Sequence, residues 1–237
     1  MLSMAGMSRT LRALAALTVF AIVLTGCSKK NKEPKPSELP TGTQLMADGA
    51  KAMSEVKTVH FTIGVNGKIS GLTIKGAEGD LTKEGNAKGK ATLEQLGFVI
   101  ETEFILIGKD LYIKGATGGF TKAPASMAAS VYDPSAILDP NRGAPKLLTT
   151  AKNPKTEGKE QLDGKEVYRV SFEPDTAALQ SLIGTSATGV TGMVWLDAQT
   201  KRIAKAEFKM PASGGNPEGT VTVTFTKYDE PVTISAP

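Results

Sequence analysis

The sequence predicts an α+β fold: a single curved antiparallel sheet with helices packed across its apolar face. Three observations lead there. Apolar residues alternate with period two from Val59 through the first half of the chain. A helix-forming, proline-punctuated segment interrupts the pattern in the middle, and the alternation then returns almost to the C-terminus. Strands joined by short polar turns pair antiparallel, and a sheet with one apolar face must cover it, which the inserted helices can do.

The N-terminus is a separate matter. Arg9 and Arg12 precede an apolar run from Ala13 to Leu24, broken only by Thr18, and no acidic residue occurs before Glu33. The run is shorter than the ~20 residues a bilayer requires and fits the apolar region of a secretory signal. It closes on Leu24-Thr25-Gly26-Cys27, which resembles the lipobox of bacterial lipoproteins. The reading is a signal peptide over 1–26 and a diacylated Cys27 at the mature N-terminus. Cys27 is also the only cysteine, so no disulfide forms within the chain and a lipid thioether would cap its thiol. Two acyl chains hold a protein stably where one does not, placing it on the outer face of the cell membrane. Residues 27–40 carry Lys29, Lys30, Lys32 and Lys35 and read as an extended tether.

Removing residues 1–26 leaves 211 of the 237 residues, enough for one core, assigned to a domain over 41–237. The net charge of +4 belongs to the excluded segments. Signal and tether hold six of the 28 basic and two of the 24 acidic residues, leaving 22 of each in the body. A neutral body offers no basic face for nucleic acid.

In the body, Leu45, Ala52, Met53 and Val56 share a stripe and predict an amphipathic helix. Val59, Phe61, Ile63 and Val65 then alternate with polar residues. Asn66-Gly67 marks a turn or a bulge. Segments at Leu72–Ile74, Leu81, Ala91–Leu93, Phe98–Leu106 and Leu111–Lys114 complete six strand segments. Phe98 to Leu106 is the clearest, with Phe98, Ile100, Phe104 and Leu106 on one face and Glu101 and Glu103 on the other. Asp133 caps a short helix that begins at Pro134 and stops before Pro140, and Pro145 opens another carrying Leu147 and Leu148. Strands resume at Glu166–Phe172, followed by a helix at Thr176–Ile183 and a Gly/Thr/Ser stretch from Gly184 to Gly192. The last strands are Met193–Asp197, Arg202–Met210 and Thr220–Lys227.

The catalytic inventory is thin. His60 is the only histidine and lies on the polar side of its strand, so a Ser-His-Asp triad has one candidate base, and no Gly-x-Ser-x-Gly turn is present. Counting His and Cys excludes a zinc site built on them. Glu101 and Glu103 alone suggest paired carboxylates, yet two glutamates two apart are what any solvated strand face looks like. Trp195, the sole tryptophan, sits in a strand–turn–strand segment where packing is commoner than ligand stacking. We therefore expect no enzyme, no cofactor and no metal. Aromatics make up only 5% of the chain and small residues such as Ala91, Ala204 and Ala206 fall on the apolar face. Such a face packs tightly with aliphatics or encloses a cavity.

Several collinear segments carry a resemblance: Val65-Asn-Gly-Lys-Ile-Ser-Gly-Leu, Gly79-Asp-Leu-Thr, Asp110-Leu-Tyr-Ile, Val131-Tyr-Asp-Pro-Ser-Ala-Ile-Leu-Asp-Pro and Phe225-Thr-Lys-Tyr-Asp-Glu-Pro-Val-Thr-Ile. Together they resemble the actinobacterial LppX/LprA/LprF/LprG lipoproteins, most of all the LprG members. The resemblance implies a half-open β-barrel related to LolA and LolB, with helices across its mouth. It implies a cavity for the acyl chains of di- or triacylated lipids or glycolipids, triacylglycerol among them. It also implies carriage across the envelope beside a major-facilitator efflux transporter. No catalytic residue transfers. The expected cavity lining is Phe61, Ile63, Val65, Ala91, Leu93, Ile100, Phe104, Leu106, Ile137, Leu147, Leu148, Val194 and Leu196. The alternative reading is a scaffolding lipoprotein with a fully packed core.

Overall fold

The computed structural model describes residues 39–237, apart from 96, 116 and 130–132. The signal peptide, Cys27, nearly all of the tether and the pair Val131-Tyr132 lie outside the described residues. Eleven antiparallel strands form one curved sheet in the order β6-β5-β4-β3-β2-β1-β11-β10-β9-β8-β7. The strands are β1 (Thr58–Asn66), β2 (Ile74–Thr82), β3 (Ala87–Gln95), β4 (Phe98–Ile107), β5 (Asp110–Lys114) and β6 (Thr121–Pro124), then β7 (Lys152–Leu162), β8 (Lys165–Glu173), β9 (Thr191–Asp197), β10 (Ile203–Met210) and β11 (Gly219–Thr226). The helices are α1 (Gly42–Ser54), α2 (Ser126–Ala129), α3 (Ala144–Thr150) and α4 (Thr176–Ile183).

Two meanders meet at the centre, where β1 pairs with β11 from His60 opposite Thr226 to Asn66 opposite Thr220. The meanders end at opposite sheet edges, β6 and β7. The link between them therefore runs from edge to edge, and it carries α2, a 3-10 turn at Pro134–Ala136 and α3. The expected helix at Pro134 is that single 3-10 turn. Asp133 caps it, accepting from the Ser135 N–H at 3.0 Å. Arg142 binds both Asp133 (3.3 Å) and Asp139 (2.8 Å), fixing the segment that leads into α3.

Helix α1 is capped by Thr41, whose hydroxyl accepts from the Gln44 N–H at 3.2 Å. It buries Leu45, Met46 and Met53, each worth ~1.5–3 kcal/mol removed from water. A methyl group on Gly49 would lie 3.1 Å from Leu196 and 3.2 Å from Leu148, which shows how closely α1 seats on β9 and α3. Helix α4 begins at the Asp175 cap and ends at Gly184, in the left-handed conformation (φ 78°) that suits glycine.

Further features depart from the sequence reading. Strand β7 has no counterpart in it, because its residues are polar on both faces and it contains Pro154, as edge strands do. Ile74 and Leu81, expected in separate segments, belong to one strand, β2, with Leu72 in the loop before it, and β6 was not foreseen. In β10 a bulge between Ile203 and Lys205 turns Ile203 fully into the core and leaves Ala204 half-buried.

Gly79 and Gly89 face each other across β2 and β3. A Cβ on Gly79 would lie 2.3 Å from the Lys88 carbonyl oxygen, and one on Gly89 would lie 2.0 Å from that of Glu78. The strands approach here more closely than any side chain allows. Gly89→Ala should destabilise the fold by about 1–3 kcal/mol, read as a lowered denaturation midpoint; an unchanged midpoint contradicts this account.

The C-terminal end is clipped to the sheet. Asp229 accepts from the Lys57 N–H at 2.8 Å and pairs with Arg202, whose guanidinium lies 5.1 Å from the Tyr228 ring centre. Burial pushes the Tyr228 phenol well above its ordinary pKa. Burial also opposes ionisation of Asp229, but the Lys57 N–H and Arg202 outweigh it and hold the carboxyl below the usual range. A lowered folded pKa adds stability above the unfolded value of about 3.9, and that stability fades as pH falls through the folded value. Asp229→Asn should thus lower the melting temperature at pH 7. Its deficit against the parent should shrink below about pH 4, as thermal melts across pH will reveal.

Candidate functional site

The concave face is covered unevenly. Over β8 to β11 and β1 the helices α1, α3 and α4 bury Leu45, Met53, Leu147, Leu179 and Leu182 against Val194, Leu196, Phe208 and Val223. Phe172 and Phe208 pack edge to face with ring centres 6.3 Å apart. Gly192, their shared register partner, leaves room for the Phe172 ring. This half is a packed core.

Under β2 to β5 an apolar groove of about 290 Å³ remains. Successive rows across the strands explain it. The row Phe61–Gly79–Gly89–Phe104 places two glycines between two rings, and the row Ile63–Ala77–Ala91–Thr102 supplies two alanines. Small side chains in the middle of a face that no long helix covers leave space. The walls are Phe61, Ile74, Leu93, Ile100, Phe104, Leu111 and Ile113, with Met127 of α2 and Pro134 of the 3-10 turn at the other side. Thr102 is the one polar side chain in this lining, and its hydroxyl donates to the Lys114 carbonyl at 3.1 Å. A hydrocarbon guest therefore meets no unpaired polar side chain there.

The structure brings together five of the thirteen residues expected to line a cavity: Phe61, Ala91, Leu93, Ile100 and Phe104. Ile63, Leu106, Ile137, Leu147, Leu148, Val194 and Leu196 are buried in the core outside the groove's lining, and Val65 is half-buried against that core. Ala77, Leu111 and Ile113 extend the lining. They share a face with Ala91 and Phe104 by register, so stricter use of the period-two pattern finds them. Met127 and Pro134 have no such signal.

Strand β4 departs from expectation in its exposure. Of its inward residues only Leu106 is buried, whereas Phe98 is 72% and Ile100 40% exposed. Glu101 and Glu103 lie on the opposite face from the groove, with Glu103 3.5 Å from Lys114. His60 meets its cross-strand partner Asp80 at 2.7 Å. Trp195 donates to Glu160 at 2.6 Å beneath Lys205, 4.4 Å from its ring centre, in a ladder on the outer face. Among the described residues no cluster of three His, Cys, Asp or Glu side chains converges as metal ligands.

A second, larger cleft of about 600 Å³ lies among the loops after β1, α4 and β10. Lys68, Ser70, Gln180, Thr185 and Asn216 make its lining polar, so it is poorly suited to hydrocarbon.

Fold and groove together define an open-sheet protein with one packed half and one apolar, partly uncovered half. The chain belongs to the LppX_LprAFG lipoprotein family, whose model matches residues 41–234. It is 28% identical to the lipoarabinomannan carrier protein LprG of Mycobacterium tuberculosis, covering 97% of this chain and 95% of that protein. It is likewise 28% identical to the putative diacylated glycolipid transporter LprF of the same species, covering 94% and 90%. The crystal structure of LprF from Mycobacterium bovis superposes with a TM-score of 0.71 at 25% identity, over 86% of this chain and 99% of LprF. That of Mycobacterium tuberculosis LppX does so at 0.59 and 16% identity, over 81% and 97%, and shares the fold.

Ala91→Trp should fill the groove. An environment-sensitive naphthylamine dye is expected to bind the parent and at least about tenfold more weakly the variant, with melting temperature preserved. Equal dye binding by both would place the apolar site elsewhere.

Proposed function

We propose that this chain is a non-enzymatic lipid carrier of the cell envelope. It is anchored through diacylated Cys27 to the outer face of the membrane. In the groove it holds acyl chains of a di- or triacylated lipid or glycolipid. The observation that carries the proposal is the apolar groove beneath β2 to β5, continuous with an exposed apolar stretch on β4. Groove volume sits at the lower end of the ~300–1,000 Å³ typical of ligand pockets. It accommodates part of the cargo, and the exposed stretch of β4 extends the apolar track outward. Each methylene removed from water contributes ~0.8 kcal/mol, so shape and dryness suffice for binding and no charged anchor is required. The names of LprG and LprF, a lipoarabinomannan carrier and a putative diacylated glycolipid transporter, support this reading.

Carriage across the envelope needs a source and a driving force that a passive groove lacks. The partner we propose is a major-facilitator efflux transporter in the same membrane, as the family resemblance implies. The anchor keeps the groove within a tether's reach of it.

The test is recovery of native lipid. Cys27→Ser protein expressed in its own host should leave the membrane fraction yet carry lipid, detected by mass spectrometry of organic extracts. Ala91→Trp in the same background should come away empty. A Cys27→Ser protein without lipid would falsify the carrier reading and favour a scaffolding lipoprotein.

A further inference from the structure

Four large apolar side chains are exposed among the described residues: Phe98 (72%), Val99 (67%), Ile100 (40%) and Met127 (54%). Ile100 and Met127 line the groove, Phe98 continues the same face of β4 beyond it, and Val99 lies between Phe98 and Ile100 on the strand's other face. Singly scattered apolar residues are ordinary on a surface, but their confinement to one place marks an interaction site.

Its geometry indicates what it meets. Phe98 and Val99 are neighbours on an extended strand, so they project to opposite faces of the sheet. A protein docked on one face leaves the other wet, whereas hydrocarbon surrounds the end of a hairpin on all sides. Glu94 lies opposite Val99 in the register and is neutralised by Lys75 at 2.7 Å, so the nearest carboxylate across the strands is paired; Glu101, two residues further along the same face, is exposed.

The place where the chain enters the fold points the same way. Alternating strand directions put the start of β4 and the start of β7 at the same end of the sheet. The chain enters the fold beside the start of β7: the Pro40 carbonyl accepts from Thr156 at 2.6 Å, and Gly42 abuts Pro154. About 13 residues separate Pro40 from Cys27, so the anchor lies within a contour of about 45 Å of that end.

We propose that the β3–β4 hairpin end inserts Phe98 and Val99 into the outer leaflet that holds the Cys27 anchor, so that the groove opens directly onto hydrocarbon. Cargo then moves between bilayer and groove along Ile100 without crossing water. The proposal rests on the lipid-carrier reading and adds the route by which the groove is filled.

Lipidated protein in phosphatidylcholine vesicles tests it, with the acylated Cys27 leaving an introduced thiol as the only reactive one. An environment-sensitive fluorophore on Phe98→Cys should shift to the blue and be quenched by nitroxide-bearing lipids. The same label on Lys109→Cys, at the other end of β4, should do neither. A label at 98 that keeps its spectrum in water on the vesicles overturns the proposal and leaves these side chains for a protein partner. A shift that follows protein concentration without vesicles overturns it in favour of a second copy of the chain. As a second measurement, Phe98→Glu with Val99→Glu should slow transfer of a fluorescent-tailed phospholipid between vesicles about tenfold or more, with dye binding in the groove unchanged. Unslowed transfer removes the route but leaves the carrier reading standing. Insertion of the label in a protein whose groove takes up no lipid would support the membrane contact and sink the carrier reading.

Discussion

The pairing of β1 with β11 is the constraint on which the rest of the structure depends. It brings the first and last strands together at the middle of the sheet, so the two meanders grow outward and end at opposite edges. The link between those edges then has to traverse the sheet, and the cheapest path lies across the apolar face that needs cover. The crossing segment with α2 and α3 lies on the concave side because that is the apolar face to be covered, and α1 and α4, outside the crossing, add to the same cover.

Coverage by one crossing segment and two flanking helices is necessarily partial for eleven strands. The helices favour the half where Phe172, Phe208, Leu196 and Val223 offer bulk to pack against. In the other half the face is made of Gly79, Gly89, Ala77 and Ala91, and only the four-residue α2 and the 3-10 turn approach it. A groove there follows from two independent facts: small residues on the floor and little above them. The glycines serve twice, since the absence of Cβ atoms also lets β2 and β3 approach as closely as they do.

Much of this was legible in the sequence wherever one face of a strand is buried. The alternation in β1 and β11 matches their elements to within a residue at each end, and the stripe located α1, although Ala52 is only half-buried and Val56 falls beyond the helix end. Strand β7 escaped because an edge strand with polar residues on both faces has no alternation to detect; it is held by pairing with the next strand, β8, and by a contact with Pro40, which is distant in sequence. The bulge in β10 escaped because Ile203 and Ala204 are both apolar, so the pattern does not say which faces inward. For the groove, Ala91 and Phe104 were accessible from alternation, whereas Ile63, Leu148 and Leu196 are equally inward-facing. What separates them is which part of the face α1, α3 and α4 cover, and the alternation within a strand does not reveal that.

The central pairing also sets the order in which the molecule can be completed. His60 meets Thr226 only when nearly the whole polypeptide is available, so the middle of the sheet is assembled from the two segments farthest apart along it. In a chain threaded outward from its N-terminus, β1 waits with an unpaired edge until the last strand emerges. Such an arrangement ties maturation to full-length synthesis: a shortened product loses the seam that joins the two meanders, not merely a rim.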